Sequence, residues 1–95
     1  MIASFKHKGL ELFYKEGSLK GINAMHARRL REILTTLDFL GSLGSVSLKR
    51  YGLHPLTADL QGFWSVEVSG AWRVIFRYKD KEKGVVELLN YLNYH

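Results

Sequence analysis

The sequence predicts an α+β fold in which two N-terminal helices pack on one face of a small, mainly antiparallel sheet. Helical periodicity dominates the first half of the chain, and alternation of apolar and polar residues dominates the second half. Helices followed by a run of strands are typical of α+β domains. Ninety-five residues with 46% hydrophobic content suit one compact core, so we expect residues 1–95 to form a single domain.

The first half of the chain predicts a short strand followed by two helices. Residues 2–5 have the pattern of a short strand. A short amphipathic helix follows and ends near Gly17, residues 18–22 form a turn, and Asn23 can cap a longer helix. The apolar stripes are Leu10, Phe13 and Tyr14 in the first helix and Leu30, Ile33, Leu34 and Leu37, extending towards Leu40, in the second.

A break rich in glycine and serine at residues 41–45 ends the second helix, and the chain returns to a strand pattern near Tyr51. Proline has no backbone N–H to donate, so Pro55 limits this strand to an edge or an end of the sheet. His54 is therefore predicted to lie at a strand terminus. A charged turn at residues 79–84 leads into a final strand over residues 85–92.

Residues 63–78 between them predict a β-hairpin. A three-residue loop, residues 69–71, would place Val68 opposite Trp72 and Glu67 opposite Arg73, so that the apolar rows of both strands coincide. A five-residue loop is the alternative, because three-residue loops favour glycine where Ala71 stands. The polar face would carry Ser65, Glu67, Arg73 and Arg77 and would be open to solvent or a ligand.

Composition narrows the class of protein. The net charge of +5 and the pI near 9.6 favour polyanionic partners such as RNA or DNA, although simple solubility is an equally good explanation. The chain has no cysteine, which excludes disulfides and thiolate chemistry. It shows neither a signal-peptide pattern nor a membrane span, so we expect a cytoplasmic protein without a membrane partner.

Few residues of the sequence are candidates for a catalytic role. The sequence has no phosphate-binding loop, no nucleophile elbow and no His-Glu-x-x-His pair, and its four histidines lack metal-ligand spacing, so no metal or cofactor is expected. The remaining candidates are His54, Arg73, Arg77, Tyr94 and His95, which supply donors, cations and groups able to move protons. Structural roles are the alternative: His54 could be half-buried, Arg73 could pair with Glu67, and the terminus could fray. Likewise Arg28, Arg29 and Arg31 could be a solvated helix face or a surface for RNA or protein.

Several spaced motifs resemble one family of proteins. They are Met-Ile-Ala-Ser-Phe-Lys-His-Lys-Gly-Leu at residues 1–10, Leu-His-Pro-Leu at 53–56, Gly-Phe-Trp-Ser-Val at 62–66, Val-Ser-Gly-Ala-Trp-Arg at 68–73 and the terminal Tyr-His. Together they resemble the HigB toxins, members of the RelE/ParE superfamily of bacterial toxin-antitoxin systems. The resemblance extends over essentially the whole chain.

This resemblance implies a RelE/ParE-like fold and a ribosome-dependent endoribonuclease that cuts messenger RNA in the decoding site. In such toxins the ribose 2′-hydroxyl attacks the adjacent phosphate, leaving a 2′,3′-cyclic phosphate and a 5′-hydroxyl, with no metal or cofactor. The implied partners are the ribosome and mRNA, a helix-turn-helix antitoxin of the HigA type, and operator DNA bound through the antitoxin complex.

Position by position, the resemblance assigns roles to the candidate residues. His54, Arg73, Tyr94 and His95 match catalytic positions, and we expect Arg77, Asn93 and Thr57 to bind substrate. Two of these positions depart from the family pattern, because Asn93 replaces the usual Asp and Thr57 replaces a frequent Lys. An amide cannot act as a general base and a hydroxyl carries no positive charge. These departures therefore put catalytic power in question.

Two other functions are compatible with the same sequence. A ParE-like gyrase inhibitor would share the fold but bind a protein target and cleave nothing. The presence of His54, Tyr94 and His95 beside Arg73 favours the nuclease, because a pure binding module has no chemical need for them. A catalytically attenuated toxin that acts mainly as the antitoxin's partner in operator binding is the second alternative, and Asn93 and Thr57 favour it.

Overall fold

The computed structural model describes residues 1–94, and within them it confirms the predicted α+β class. The helices are α1 (Lys8–Glu16), α2 (Ala27–Asp38) and the short α3 (Leu40–Leu43), with 3₁₀ helices at Ala24–His26, Ser45–Tyr51 and Ala58–Leu60. The strands are β1 (His54–Pro55), β2 (Phe63–Ser69), β3 (Trp72–Asp80) and β4 (Val85–Asn93). No helix of residues 1–94 is long and apolar enough to cross a membrane. His95 lies outside the described residues.

Both predicted helices form, with one difference at a cap. The Nδ1 of His7 accepts a hydrogen bond from the N–H of Leu10 at 2.9 Å and caps α1, which ends at Gly17 in a left-handed conformation with φ 72°. The side chain of Asn23 accepts from the N–H of Met25 at 3.0 Å. It therefore caps the 3₁₀ turn that precedes α2, not α2 itself.

The four strands of the described chain form one sheet in the order β1-β2-β3-β4, with every neighbouring pair antiparallel. The predicted strand at residues 2–5 is reduced to two isolated parallel bridges, Ile2 to Val86 and Phe5 to Leu89. These bridges lie along the outer edge of β4, so the sheet is mainly antiparallel as predicted. β4 bulges at Leu88, where φ is 58°, and the N–H of Leu88 donates to Oγ of Ser4 at 3.0 Å.

The hydrophobic core lies between the helices and one face of the sheet. Its buried members include Leu10, Phe13, Leu30, Ile33, Leu34, Leu37 and Leu40 from the helical layer and Val66, Val68, Val74, Phe76, Val86, Leu89 and Tyr91 from the sheet. The apolar stripes of the two predicted helices therefore pack against the apolar side of the predicted hairpin. Burial of these two apolar surfaces against one another is the main favourable contribution to folding.

The predicted hairpin register is right at Glu67 and Arg73 but wrong at Val68. Trp72 pairs with Ser69, and the register shifts between Glu67 and Ser69, so that Val68 is the additional residue of a β-bulge. The turn contains only Gly70, with φ 56°, and Ala71. A two-residue turn alone would place Val68 and Trp72 on opposite faces, and the bulge restores both to the core side.

The predicted strand near Tyr51 is also wrong. Residues 45–51 form a 3₁₀ helix, and only two residues, His54 and Pro55, belong to the edge strand. Leu48 and Tyr51 are both buried, and their spacing of three residues places them on one side of a 3₁₀ helix. The placement of His54 at a strand end is nevertheless confirmed.

Candidate active site on the open face of the sheet

The candidate site lies on the face of the sheet that is turned away from the core, which we call the open face. A row of register partners crosses all four strands there: His54 opposite Ser65, Ser65 opposite Ile75, and Ile75 opposite Asn90. Directly opposed residues project to the same side of a sheet, so the four side chains form one line. Ser65 and Ile75 are buried in the middle of this line, whereas His54 is exposed at its edge. The predicted exposure of this face is therefore wrong at its centre and right at its β1 edge.

The imidazole of His54 is held at both ring nitrogens. Nδ1 lies 3.0 Å from the carbonyl oxygen of Gly52, which can only accept a hydrogen bond, so Nδ1 carries the proton. Nε2 lies 3.4 Å from Oγ of Ser65. A neutral ring protonated at Nδ1 has its lone pair at Nε2, and Nε2 is therefore the atom that can accept a proton from a substrate.

The other two histidines of residues 1–94 have structural partners. His7 caps α1, and burial lowers the pKa of His7. His26 is buried, with Nδ1 2.6 Å from the hydroxyl of Tyr91, and its ring packs edge-on against Trp72. Of the three described histidines, His54 is thus the one exposed on the open face.

Arg73 lies in the row next to His54, between its register partners Glu67 on β2 and Leu92 on β4. Its Nη1 donates to the carbonyl oxygen of Trp72 at 3.0 Å and to that of Gly70. Arg73 forms no ion pair with Glu67 among residues 1–94, so the structural role considered for Arg73 is not observed. The carboxylate of Glu67 instead occupies the space that a side chain at Gly52 would fill. Backbone contacts therefore orient the guanidinium of Arg73 without neutralising its charge.

Arg77 is in a different electrostatic situation on the same face. Its Nη2 and Nε donate to Oε2 of Glu87 at 2.6 and 3.0 Å, and the guanidinium lies 5.6 Å from the ring centroid of Phe63. A carboxylate in contact cancels most of the cation's attraction for a phosphate. Arg77 is consequently a weaker candidate for RNA binding than Arg73.

The remaining predicted residues are spread around this face. Thr57 is exposed just beyond β1, where it precedes the 3₁₀ helix Ala58–Leu60. The N–H of Tyr94 donates to the carbonyl oxygen of Ala71 at 2.8 Å, which fixes the end of the chain beside the hairpin turn. Asn93 is the register partner of Trp72 and so projects to the side opposite His54 and Arg73. The structure thus brings His54 and Arg73 onto one face and leaves Asn93 off it.

The sequence does not predict that Ser65 and Gly52 hold His54. Ser65 is a small polar residue within an alternating strand, and only its complete burial marks it as unusual. Gly52 contributes a backbone carbonyl, which no side-chain pattern reveals. Its left-handed conformation at the end of a 3₁₀ helix, with φ 69°, is typical of glycine, and a Gly two residues before His54 was the available hint.

Two concavities lie on the helical side, away from the open face. One of about 340 Å³ is lined by residues of α1 and α2, and another of about 500 Å³ lies between α2 and the 3₁₀ helix that ends at Tyr51. Neither is lined by His54, Arg73 or Arg77. Within residues 1–94, no group of three or more His, Asp or Glu side chains is arranged to hold a metal ion.

Comparison with known proteins identifies relatives over the full length. The family model described as the RelE-like toxin of the type II toxin-antitoxin system HigB matches residues 3–95. The protein named "Endoribonuclease HigB" from Proteus vulgaris is 38% identical over 95 residues, which are 100% of both chains.

One solved structure shows the same fold at lower sequence identity. The crystal structure of YafQ from E. coli strain BL21(DE3) superposes with a TM-score of 0.61 at 20% identity, covering 98% of this chain and 91% of that one. A toxin-antitoxin complex of the RelBE type from Mycobacterium tuberculosis gives a TM-score of 0.48 at 18% identity, over 100% and 96% of the two chains. The family match and the full-length relative together show that this chain belongs to the HigB-like family, the RelE-like toxins of type II toxin-antitoxin systems.

Proposed function

We propose that this protein is a ribosome-dependent endoribonuclease that cleaves translated messenger RNA. The observation that carries the proposal is the placement of an exposed imidazole, His54, and an unneutralised guanidinium, Arg73, on adjacent rows of one open sheet face. His54 and Arg73 lie two strands apart and one row apart. Strands are about 4.8 Å apart and rows about 7 Å apart, so the two Cα atoms are separated by roughly 12 Å. Their side chains can close this gap by contacting opposite sides of one phosphodiester group. Membership of the toxin family, the name of the Proteus vulgaris relative and the net charge of +5 support an RNA substrate.

The proposed reaction is an internal transfer at phosphorus. The ribose 2′-oxygen forms a bond to the adjacent phosphorus and the bond to the 5′-oxygen breaks, giving a 2′,3′-cyclic phosphate and a 5′-hydroxyl. Nε2 of His54 accepts the proton of the 2′-hydroxyl as general base. The departing 5′-oxygen needs a proton, and we assign its delivery to His95 on the strength of the resemblance alone.

Charge stabilisation and positioning complete the mechanism. Arg73 suits the phosphate because its planar fork can engage two oxygens as negative charge accumulates on them. Tyr94 would stack on or orient a base. Thr57 and Arg77 would contact RNA around this centre, Arg77 more weakly because Glu87 neutralises it. Asn93 projects to the other side of the sheet and would not take part. No step requires a metal or cofactor.

The proposed partners follow from the type II system to which the family belongs. An antitoxin with a HigA-like helix-turn-helix fold would neutralise the toxin and carry the complex to operator DNA in the cytoplasm. The ribosome would hold the message extended across the open face. Such a requirement fits a shallow site, because the ribosome would supply part of the positioning that lowers the reaction barrier.

Primer extension on a translated message tests the proposal. Discrete cuts within codons that appear with the wild-type protein, and disappear with His54→Ala, would support the nuclease. Trapped gyrase–DNA breaks without RNA cuts would instead support a ParE-like inhibitor. If neither RNA nor DNA is cleaved, but the complex with the antitoxin binds operator DNA normally, the result would support the attenuated toxin that Asn93 and Thr57 favour.

A further inference from the structure

Ser65 has an unusual environment for a hydroxyl. It lies in the middle of β2, on the open face between His54 and Ile75, and it is 0% exposed. Burial of a hydroxyl in apolar surroundings is unfavourable unless a hydrogen bond compensates for the lost water. Among residues 1–94 the side-chain hydroxyl of Ser65 has one hydrogen-bond partner, Nε2 of His54 at 3.4 Å. The burial of this polar group therefore depends on a single imidazole.

The opposite side of that imidazole is fixed by the backbone. The carbonyl oxygen of Gly52 accepts from Nδ1 of His54 at 3.0 Å, and Gly52 is itself held by its N–H, which donates to the carbonyl oxygen of Lys49 at 3.0 Å. A neutral imidazole in water prefers its proton on Nε2. The Gly52 carbonyl favours the other tautomer, in which Nε2 is the acceptor.

We propose that Ser65 is a positioning residue for His54. The carbonyl of Gly52 sets the Nδ1–H tautomer, and the hydroxyl of Ser65 then donates to the lone pair of Nε2 and holds the ring in place until a 2′-hydroxyl replaces it. This inference rests on the proposed function insofar as His54 is the base. The Ser65 contact is at the long end of the hydrogen-bond range, so an incoming 2′-hydroxyl can replace it readily.

The competing explanation is that Ser65 only fills a small space beside Ile75. Alanine would fill nearly the same space and would avoid burying a hydroxyl, so packing alone gives no reason for a polar side chain. The two explanations differ in what the hydroxyl does to His54. Replacement of Ser65 by Ala, Thr or Cys therefore separates them.

The first measurement is the ¹⁵N chemical shift of the unprotonated Nε2 of His54, recorded at the alkaline plateau of a pH series. In the wild type we expect the Nδ1–H form to dominate, with the hydrogen bond from Ser65 moving the Nε2 resonance away from that of a free lone pair. Ser65→Ala should return the resonance towards the free value, and Ser65→Thr, which keeps the hydroxyl, should not. Ser69→Ala, at the exposed end of the same strand, is the matched control and should leave the resonance unchanged.

The second measurement is single-turnover cleavage on programmed ribosomes. Ser65→Ala should reduce the rate by roughly three- to tenfold without changing ribosome affinity, and Ser65→Thr should recover it. If Ser65→Ala does not fold by circular dichroism, Ser65→Cys keeps the size with a weaker donor and takes its place.

The two measurements fail separately. An unchanged Nε2 resonance in Ser65→Ala overturns the positioning role, even if cleavage slows. A wild-type protein that cuts no message overturns the proposed function, whereas the ¹⁵N measurement still decides what Ser65 does to His54.

Discussion

Arg77 donates two hydrogen bonds to the same carboxylate oxygen of Glu87, at 2.6 and 3.0 Å. Of the two arginines on the open face, Arg77 therefore has a carboxylate partner and Arg73 does not. The charge of Arg77 is satisfied within the protein. Arg73 has only backbone carbonyl partners among residues 1–94 and retains its positive charge for a ligand. We therefore expect different consequences when each guanidinium is removed.

Arg73→Ala should reduce single-turnover cleavage by about 10²–10³-fold, the loss seen when one charge-stabilising donor is removed from comparable sites. Arg77→Ala is the matched control and should have a much smaller effect on the chemical step. Thermal unfolding of both variants checks the fold. If Arg73→Ala strongly destabilises the protein, but the fraction that remains folded cleaves at the wild-type rate, then Arg73 has a structural role and our assignment is wrong.

Replacement of the ribose at the cleavage site by deoxyribose should stop the reaction, because the proposed nucleophile is the 2′-hydroxyl of the substrate itself. Binding of the message to the ribosome–toxin complex should change little. Gel analysis of end-labelled messages, with the deoxyribose placed one codon away as the control, measures this. Undiminished cutting at the substituted position would indicate attack by water.

Asn93→Asp should change single-turnover cleavage by less than about threefold, although general acid–base groups typically contribute about 10²–10⁴-fold. The reason is geometric: Asn93 is opposite Trp72 and projects away from the side that carries His54 and Arg73. Rates measured on prebound ribosome complexes test this expectation. A hundredfold acceleration would show that a carboxylate at position 93 reaches the reacting atoms, and it would strengthen the case for an attenuated toxin.

His7 should make folding stability sensitive to acid. Burial lowers the pKa of His7 in the folded protein below its ordinary value, so its contribution to stability is complete above about pH 6.5 and is lost as the pH falls through the folded-state pKa. Protonation also removes the lone pair at Nδ1 that accepts from the N–H of Leu10. His7→Asn keeps a capping side chain that does not titrate in this range, and should therefore lose less stability between pH 7.5 and pH 5.

Urea unfolding of wild type and His7→Asn at both pH values provides the measurement. Other titrating groups are common to the two proteins, so the difference between their acid losses isolates position 7. Equal losses would mean that burial of His7 does not couple to folding.

The sequence predicts those parts of the fold that depend on periodicity. The spacing of Leu30, Ile33 and Leu37 requires a helix with one apolar side, and the alternation from Trp64 to Val66 defines the inner face of β2. The bulge at Val68 cannot be predicted in this way, because a pattern with a period of two residues does not show where a strand has an additional residue. The strand predicted near Tyr51 is a 3₁₀ helix, because an aromatic residue shortly before a proline is compatible with either structure.

For the candidate site, sequence motifs indicated His54 and Arg73 but not the groups that hold them. The partners of His54 are a backbone carbonyl and a buried serine, and those of Arg73 are two carbonyls of its own hairpin. Such contacts arise only when strands pair in a particular register. The two arginines of the open face also look equivalent in sequence, and only the pairing of β3 with β4 brings Glu87 to Arg77 and not to Arg73.

The contact between Ser4 and the bulged Leu88 joins residues 84 positions apart, at opposite ends of the chain. During synthesis, residues 2–5 can therefore pair with β4 only after almost the entire chain has been translated. At about 5–20 residues per second this delay is roughly 4–17 s. Until then Ile2 and Phe5 lack the strand they bridge, and β3 has an unpaired edge. A toxin assembled in this order completes its sheet only when translation of its own message is essentially finished.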